Sequence, residues 1–240
     1  MLKIKNRNIG KNYKPFIIAE MSGNHNQSLS KALKIVDVAA KCGVDAIKIQ
    51  TYTADTLTLN ISNKEFTINS KNSLWKGHTL HSLYKKAFTP WKWHKQIFQR
   101  AKKNNILCFS SPFDESSVDF LESLNTPLYK IASPECVDIQ LIKKVAKTKK
   151  PMIISTGMAT KNEIFEAVET ARKYGCKNLA LLKCTSTYPA PEEDINLNTI
   201  HDMKKIFKCE IGLSDHTLGI GVPLAAISMG ATIIEKHLTM

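Results

Sequence analysis

Arginine is nearly missing from this chain. Of 34 basic side chains, only Arg7, Arg100 and Arg172 are arginine. That excludes the arginine-rich arm of many nucleic-acid binders. Long apolar runs are missing as well. Stretches such as Phe16 to Ala19 and Ala225 to Ile227 fall far short of the roughly 18 residues of a membrane span. The basic N-terminus has no apolar stretch behind it, which argues against a signal peptide. None of the six cysteines is spaced as C-x-x-C, so neither a zinc ribbon nor a disulfide framework is expected. Most lie in apolar stretches, and reduced thiols in a cytoplasmic protein are the expectation. No G-x-G-x-x-G follows the first candidate strand, as an open dinucleotide-binding sheet would require.

What is present is lysine, and it carries the net charge to +13. Nucleic-acid binding and a lysine-rich surface both fit such a charge. The lysines are spread over nearly every candidate helix without stacking aromatics, which favours the surface. Such a field also draws in anionic substrates.

The 240 residues follow a recurring unit of an amphipathic helix, a Gly and a short apolar strand. Leu29, Leu33, Val36 and Ala40 share one predicted helical face, and Gly43 closes that helix because glycine accepts the left-handed conformation. Ile164, Val168, Ala171 and Tyr174 repeat the pattern before Gly175, with Thr160 and Glu163 as a capping box. Eight strands are predicted, starting near Phe16, Ala46, Ile106, Leu128, Met152, Leu179, Glu210 and Thr232. They are rich in Ile, Leu and Val with little alternation, as in a parallel sheet covered on both faces. Most start-to-start intervals run from 22 to 31 residues, enough for one strand, one helix and two loops. An open doubly wound sheet is the alternative, but eight regular units point to an α/β fold of the (β/α)8 TIM-barrel type. One interval is 60 residues. Its excess, Thr51 to Thr89, follows a strand and should lie over the catalytic mouth.

Active sites of such barrels gather at the C-terminal strand ends. Glu20, Lys48, Gln50, Ser111, Lys130, Ser133, Glu135, Ser155, Ser186, Tyr188, Ser214, Asp215, His216 and His237 all fall there. The lysines and hydroxyls suit a phosphate or carboxylate. His216 and His237, on adjacent strands with Glu20 nearby, suit either a divalent metal or proton transfer. His94 and His201 read as helix-surface residues.

The strand-end motifs resemble the sialic acid synthase family. They are Ile18 to His25, Ile47 to Thr51, Phe109 to Phe113, Tyr129 to Ser133, Ser155 to Met158, Gly212 to Thr217 and Glu235 to His237. The resemblance implies that residues 1–240 form a catalytic barrel that condenses phosphoenolpyruvate with an N-acylated amino-sugar aldehyde. By that resemblance Lys48, Ser111, Lys130, Ser133, Ser155 and Ser214 hold phosphoenolpyruvate. Gln50, Glu135, Ser186, Tyr188 and Asp215 complete the substrate contacts, His216 and His237 ligate Mn2+ or Mg2+ (Co2+ being a third option), and Glu20 handles protons. The run Lys183 to Pro189, with Ser186 where N-acetylmannosamine users carry asparagine, is similar to the pseudaminic acid branch, which implies 2,4-diacetamido-2,4,6-trideoxy-altrose as the acceptor. Legionaminate and N-acetylneuraminate synthases are the alternative. Family members continue into a last barrel helix and a small antifreeze-like domain, and both are expected to be absent from a chain ending at Met240. A homodimer is expected of the full-length protein.

Two other readings stay open. A synthase acting on a sugar phosphate would need strand-end arginines, and no arginine lies at a strand end. A barrel fragment that binds ligand without turnover would keep the same strand-end residues.

Overall fold

The computed structural model describes residues 2–69 and 75–240. Residues 70–74 of the predicted insertion therefore lie outside the described residues. The chain opens with an antiparallel hairpin, β1 (Leu2–Ile4) and β2 (Arg7–Ile9), which the sequence reading did not anticipate. Strands of three residues are not stable alone. Burial holds this one: Leu2, Ile4 and Ile9 are almost fully inaccessible and pack against Phe16, Ile18, Phe109 and Ile153 inside the barrel. Each contributes roughly 1.5–3 kcal/mol.

Eight parallel strands follow and close on themselves. They are β3 (Phe16–Glu20), β4 (Ala46–Thr51), β5 (Leu107–Pro112), β6 (Tyr129–Ile131), β7 (Met152–Ser155), β8 (Leu179–Cys184), β9 (Glu210–Asp215) and β10 (Ile233–His237). Closure runs through β10, which pairs with both β9 and β3. The predicted starts lie within one residue of the observed ones. Gly212 permits the close approach of β9 and β10, since a Cβ there would sit 2.3 Å from the Ile233 carbonyl.

The intervening helices are α1 (Leu29–Lys41), α2 (Ala54–Leu57), α3 (Leu80–Ala87), α4 (Trp91–Lys103), α5 (Glu115–Ser123), α6 (Ile139–Lys147), α7 (Lys161–Lys173), α8 (Thr199–Phe207) and α9 (Gly221–Ser228). The Thr160–Glu163 capping box of α7 is present, and Gly43, Gly175 and Gly230 all have left-handed φ. On α1 the buried stripe is Ala32, Ile35, Val36 and Ala39. The predicted stripe was rotated from it, because the small Ala side chains rather than Leu29 and Leu33 let the helix settle on the sheet. His94 also departs from expectation: it is fully buried on α4. Its Nε2 lies 2.8 Å from Thr51 Oγ1, which in turn meets Ser110 Oγ at 2.6 Å. No described helix is long and apolar enough to cross a membrane, and all six cysteines are free thiols.

Candidate active site

The side-chain alternation of the barrel strands builds the site. Inward residues at mid-height are apolar: Ile18, Ala46, Phe109, Leu128, Ile153, Leu182 and Ile233 belong to one interior cluster. Two residues further along, on the same face of each strand, stand Glu20, Lys48, Ser111, Lys130, Ser155, Cys184 and Glu235. One polar layer therefore caps an apolar core. Above it opens a cavity of about 630 Å³, into which α2 and α3 of the insertion also project. The expectation that the 51–89 stretch overhangs the mouth holds for Tyr52, Leu57, Leu83, Tyr84 and Ala87, which line the cavity.

Two lysines and two glutamates form the centre of this layer. Lys48 Nζ lies 2.7 Å from Glu20 Oε2 and 3.7 Å from Glu235 Oε1, and it donates to Ser111 Oγ at 3.4 Å. Lys130 Nζ donates to Glu235 Oε1 at 3.2 Å, and Ser214 Oγ donates to the same oxygen at 3.2 Å. Burial works against every one of these charges. It pushes the Glu20 carboxyl above its usual range against the pull of Lys48. It also lowers Lys130, an effect only partly offset by Glu235. For Glu235 the two ammonium groups outweigh burial and hold the carboxyl down at about 2. Glu235 was named from sequence only within the Glu235 to His237 motif and given no role, although it stands at the centre of the charge arrangement.

Three buried polar atoms facing this cavity have no hydrogen-bond partner among the described residues: Ser155 Oγ, Glu135 Oε2 and Glu235 Oε2. Such atoms are costly unless a ligand satisfies them. Burial pushes the Glu135 carboxyl up to about 7.

His216 and His237 meet at the rim, with ring centroids 5.5 Å apart. Against the effect of burial, the Cys184 thiol raises the His216 imidazole above its usual range, and His216 Nδ1 donates to the Thr185 carbonyl at 2.8 Å. This is the arrangement that fixes a metal-ligating imidazole. Burial, with Lys48 nearby, lowers His237 to about 4, so its ring is neutral and able to ligate. Among the described residues no three His, Cys, Asp or Glu side chains are grouped to hold a metal. The described residues therefore offer a cation two imidazoles and open positions, not a closed structural site. The Tyr188 ring lies tilted against His216, with centroids 4.0 Å apart.

Twelve of the fourteen residues singled out from sequence line the cavity: Glu20, Lys48, Gln50, Lys130, Ser133, Glu135, Ser155, Ser186, Tyr188, Ser214, His216 and His237. Ser111 stands behind Lys48 instead. Asp215 faces away from the cavity. Its Oδ1 accepts from the Thr217 N–H and hydroxyl, and its Oδ2 pairs with Lys236, because successive strand residues point to opposite faces. Cys184, missed from sequence, lines the cavity at 3.8 Å from Ser186 Oγ.

Fold and site together define a (β/α)8 barrel of enzymatic type, whose hydroxyl-lined mouth carries two buried lysines paired with glutamates. The chain belongs to the NeuB family, whose sequence profile matches residues 35–240. It is 49% identical over 236 residues to the pseudaminic acid synthase of Campylobacter jejuni subsp. jejuni serotype O:2, covering 98% of this chain and 68% of that protein. It is 40% identical over 234 residues to an N,N'-diacetyllegionaminic acid synthase of the same organism, covering 95% of this chain and 68% of that protein. Among solved structures, the N-acetylneuraminic acid synthetase of Leptospira borgpetersenii superimposes with a TM-score of 0.88 at 36% identity, over 99% of this chain and 78% of that one. The chain spans about two thirds of the length of these curated relatives.

Proposed function

We propose that this barrel condenses phosphoenolpyruvate with an N-acylated amino-sugar aldehyde, as a pseudaminic acid synthase does. One observation carries the reading: the chain is 49% identical to a pseudaminic acid synthase over 98% of its length. The chemistry of the charged layer suits the reaction. Lys48 and Lys130, with Ser133, Ser155 and Ser214, are placed to hold the carboxylate and phosphate of phosphoenolpyruvate. Its C3 attacks the aldehyde carbon, forming the C–C bond, and the aldehyde oxygen takes up a proton. Water adds at C2 and loses a proton, and the C2–O bond to phosphate breaks, leaving a 2-keto acid and inorganic phosphate. Glu20, raised by burial, is positioned to exchange the proton at the aldehyde oxygen, and the lysines neutralise the departing phosphate. A divalent cation bound at His216 and His237 would supply Lewis-acid polarisation of the aldehyde. Ser186 and the apolar side of the cavity favour a 6-deoxy diacetamido acceptor over N-acetylmannosamine.

The test is phosphate release from phosphoenolpyruvate with Mn2+ and a panel of acceptor sugars. Acceptor-dependent release is expected. Its absence with every acyl amino sugar, while a sugar phosphate supports turnover, would overturn the reading.

A further inference from the structure

The loop between β3 and α1 joins three parts of the molecule. At its start the Ser22 N–H donates to Glu20 Oε1 at 3.1 Å. At its middle the Asn24 side-chain amide donates to the Leu238 carbonyl at 2.9 Å, next to His237. At its end Gln27 reaches out to the insertion. The Gln27 Nε2 donates to the carbonyls of Lys86 and Phe88 at 2.9 and 2.6 Å. These are C-terminal carbonyls of α3, which have no partner within the helix. His25 Nε2 adds a contact to Thr89 Oγ1 at 3.1 Å. Gly23 fits closely under the same turn, where a Cβ would lie 3.2 Å from the Ala87 carbonyl. The loop is wound tightly enough to hold Ser22, Asn26 and Gln27 at left-handed φ.

The helix so held presents Leu83, Tyr84 and Ala87 to the cavity, opposite the charged layer. Tyr84 meets Tyr52 edge-on at 5.9 Å, and Tyr52 meets Phe113 at 5.3 Å. This is an apolar wall facing a polar one. Phosphoenolpyruvate has nothing to offer such a wall, whereas an acylated 6-deoxy amino sugar has its acyl and C6 methyl groups.

We propose that Gln27 is a positioning residue that sets acceptor selectivity. It pins the C-terminal end of α3, and thereby the wall against which the acceptor's methyl groups pack; this rests on the condensation reading above. Gln27 touches no substrate and acts through α3 alone. The loop that carries it also carries the bond to Glu20, so the acceptor wall and the proton-handling carboxyl are set by one piece of backbone.

The test compares Gln27→Gly, Tyr84→Ala and the double variant, with both substrates varied. Glycine accepts the left-handed φ of 56° at this position without strain, so the change removes the side chain and spares the turn. Expected for Gln27→Gly is a rise of about tenfold in acceptor KM, with the phosphoenolpyruvate KM within about twofold of the parent. Its preference for 6-deoxy over 6-hydroxy acceptors should fall as well. The double variant should be no worse than Tyr84→Ala, because one effect runs through the other. Equal shifts in both KM values, or additive single effects, would overturn the proposal. Should Gln27→Gly fail to fold, Gln27→Asn keeps the turn and the amide but falls one methylene short, and it carries the same expectations. If the parent chain releases no phosphate with any acyl sugar, the condensation reading itself fails and the proposal with it. Activity without the KM split overturns the proposal alone.

Discussion

Lys48 and Glu20 stand on neighbouring strands with Nζ 2.7 Å from Oε2, and neither side chain is more than 4% exposed. A buried ion pair adds little over an apolar pair, but losing one member leaves a charge stranded. Lys48 also faces Glu235 at 3.7 Å, so Lys48→Met strands Glu20 and leaves Glu235 with Lys130 as its one cationic partner. Its expected cost is about 3–5 kcal/mol in urea unfolding at neutral pH. Because burial already raises Glu20, the loss should shrink as the pH falls and that carboxyl protonates. Stabilisation by phosphoenolpyruvate, read as a Tm shift, should vanish. Adding Glu20→Gln should recover part of the stability but none of the ligand response. A single Lys48→Met variant with parental stability would show that the pair is not held as described.

His216→Ala and His237→Ala should each abolish turnover at limiting Mn2+, and excess metal should restore a part of it. Each removes one of the two imidazoles at the rim, and weaker binding leaves the aldehyde unpolarised. In the parent, EDTA should stop phosphate release and added Mn2+ should restore it. Full activity of either variant in metal-limited buffer would remove both residues from the metal assignment.

The fold was legible because eight Ile-, Leu- and Val-rich runs recur at nearly even spacing, which a closed parallel barrel requires. The hairpin was not. Leu2 and Ile4 alternate with Lys3 over only three residues, and nothing local says that Leu2 and Ile4 are buried beneath a barrel. The site was legible as a set of strand ends but not in its parity. Glu235 and His237 face inward while Lys236 between them pairs with Asp215 on the outer side. Counting two residues on from each apolar interior position selects Glu235 and Cys184 and rejects Asp215. His94 was misread because its burial comes from the Thr51–Ser110 hydroxyl chain, two strands that helix periodicity does not see.

His94 makes stability depend on pH. Its Nδ1 donates to the Pro90 carbonyl at 3.3 Å, so Nε2 is the acceptor in the neutral ring and Thr51 donates to it. Burial lowers the imidazole to about 4. The unfolded chain takes up this proton near pH 6.5, and the folded chain only near 4, so the unfolded state binds more protons between those values. Stability therefore falls as the pH drops from about 6.5 to 4, by about 3 kcal/mol for this group at full development. Above 6.5 the group contributes no pH dependence. His94→Gln should cost stability at pH 7 and flatten the slope between pH 6.5 and 4 in denaturant titrations. An unchanged slope would mean that His94 is not held neutral.

The acceptor preference follows from the two walls of the cavity. Ser186, from the loop after β8, lies 3.8 Å from Cys184 Sγ, and a Cβ at Gly157 would lie 2.4 Å from its hydroxyl. That end is small and leaves no side-chain amide to receive a sugar hydroxyl. Leu83, Tyr84 and Ala87 on the other side offer apolar surface. A 2,4-diacetamido-2,4,6-trideoxy-altrose gives such a wall two acyl methyls and the C6 methyl. N-acetylmannosamine gives it one acyl methyl and a 6-hydroxyl that loses its water without gaining a partner. An added methyl in an apolar pocket is worth about 1–3 kcal/mol, so the expected preference is at least about tenfold in kcat/KM, roughly 1.4 kcal/mol. Ser186→Asn should narrow it by raising turnover of N-acetylmannosamine, since the amide gives a sugar hydroxyl at its own end of the cavity a partner. The measurement is initial phosphate release with each acceptor at saturating phosphoenolpyruvate and Mn2+. Equal or reversed preference in the parent chain would move the assignment to an N-acetylneuraminate-type synthase, and would mean that the apolar wall faces something other than the acceptor's methyl groups.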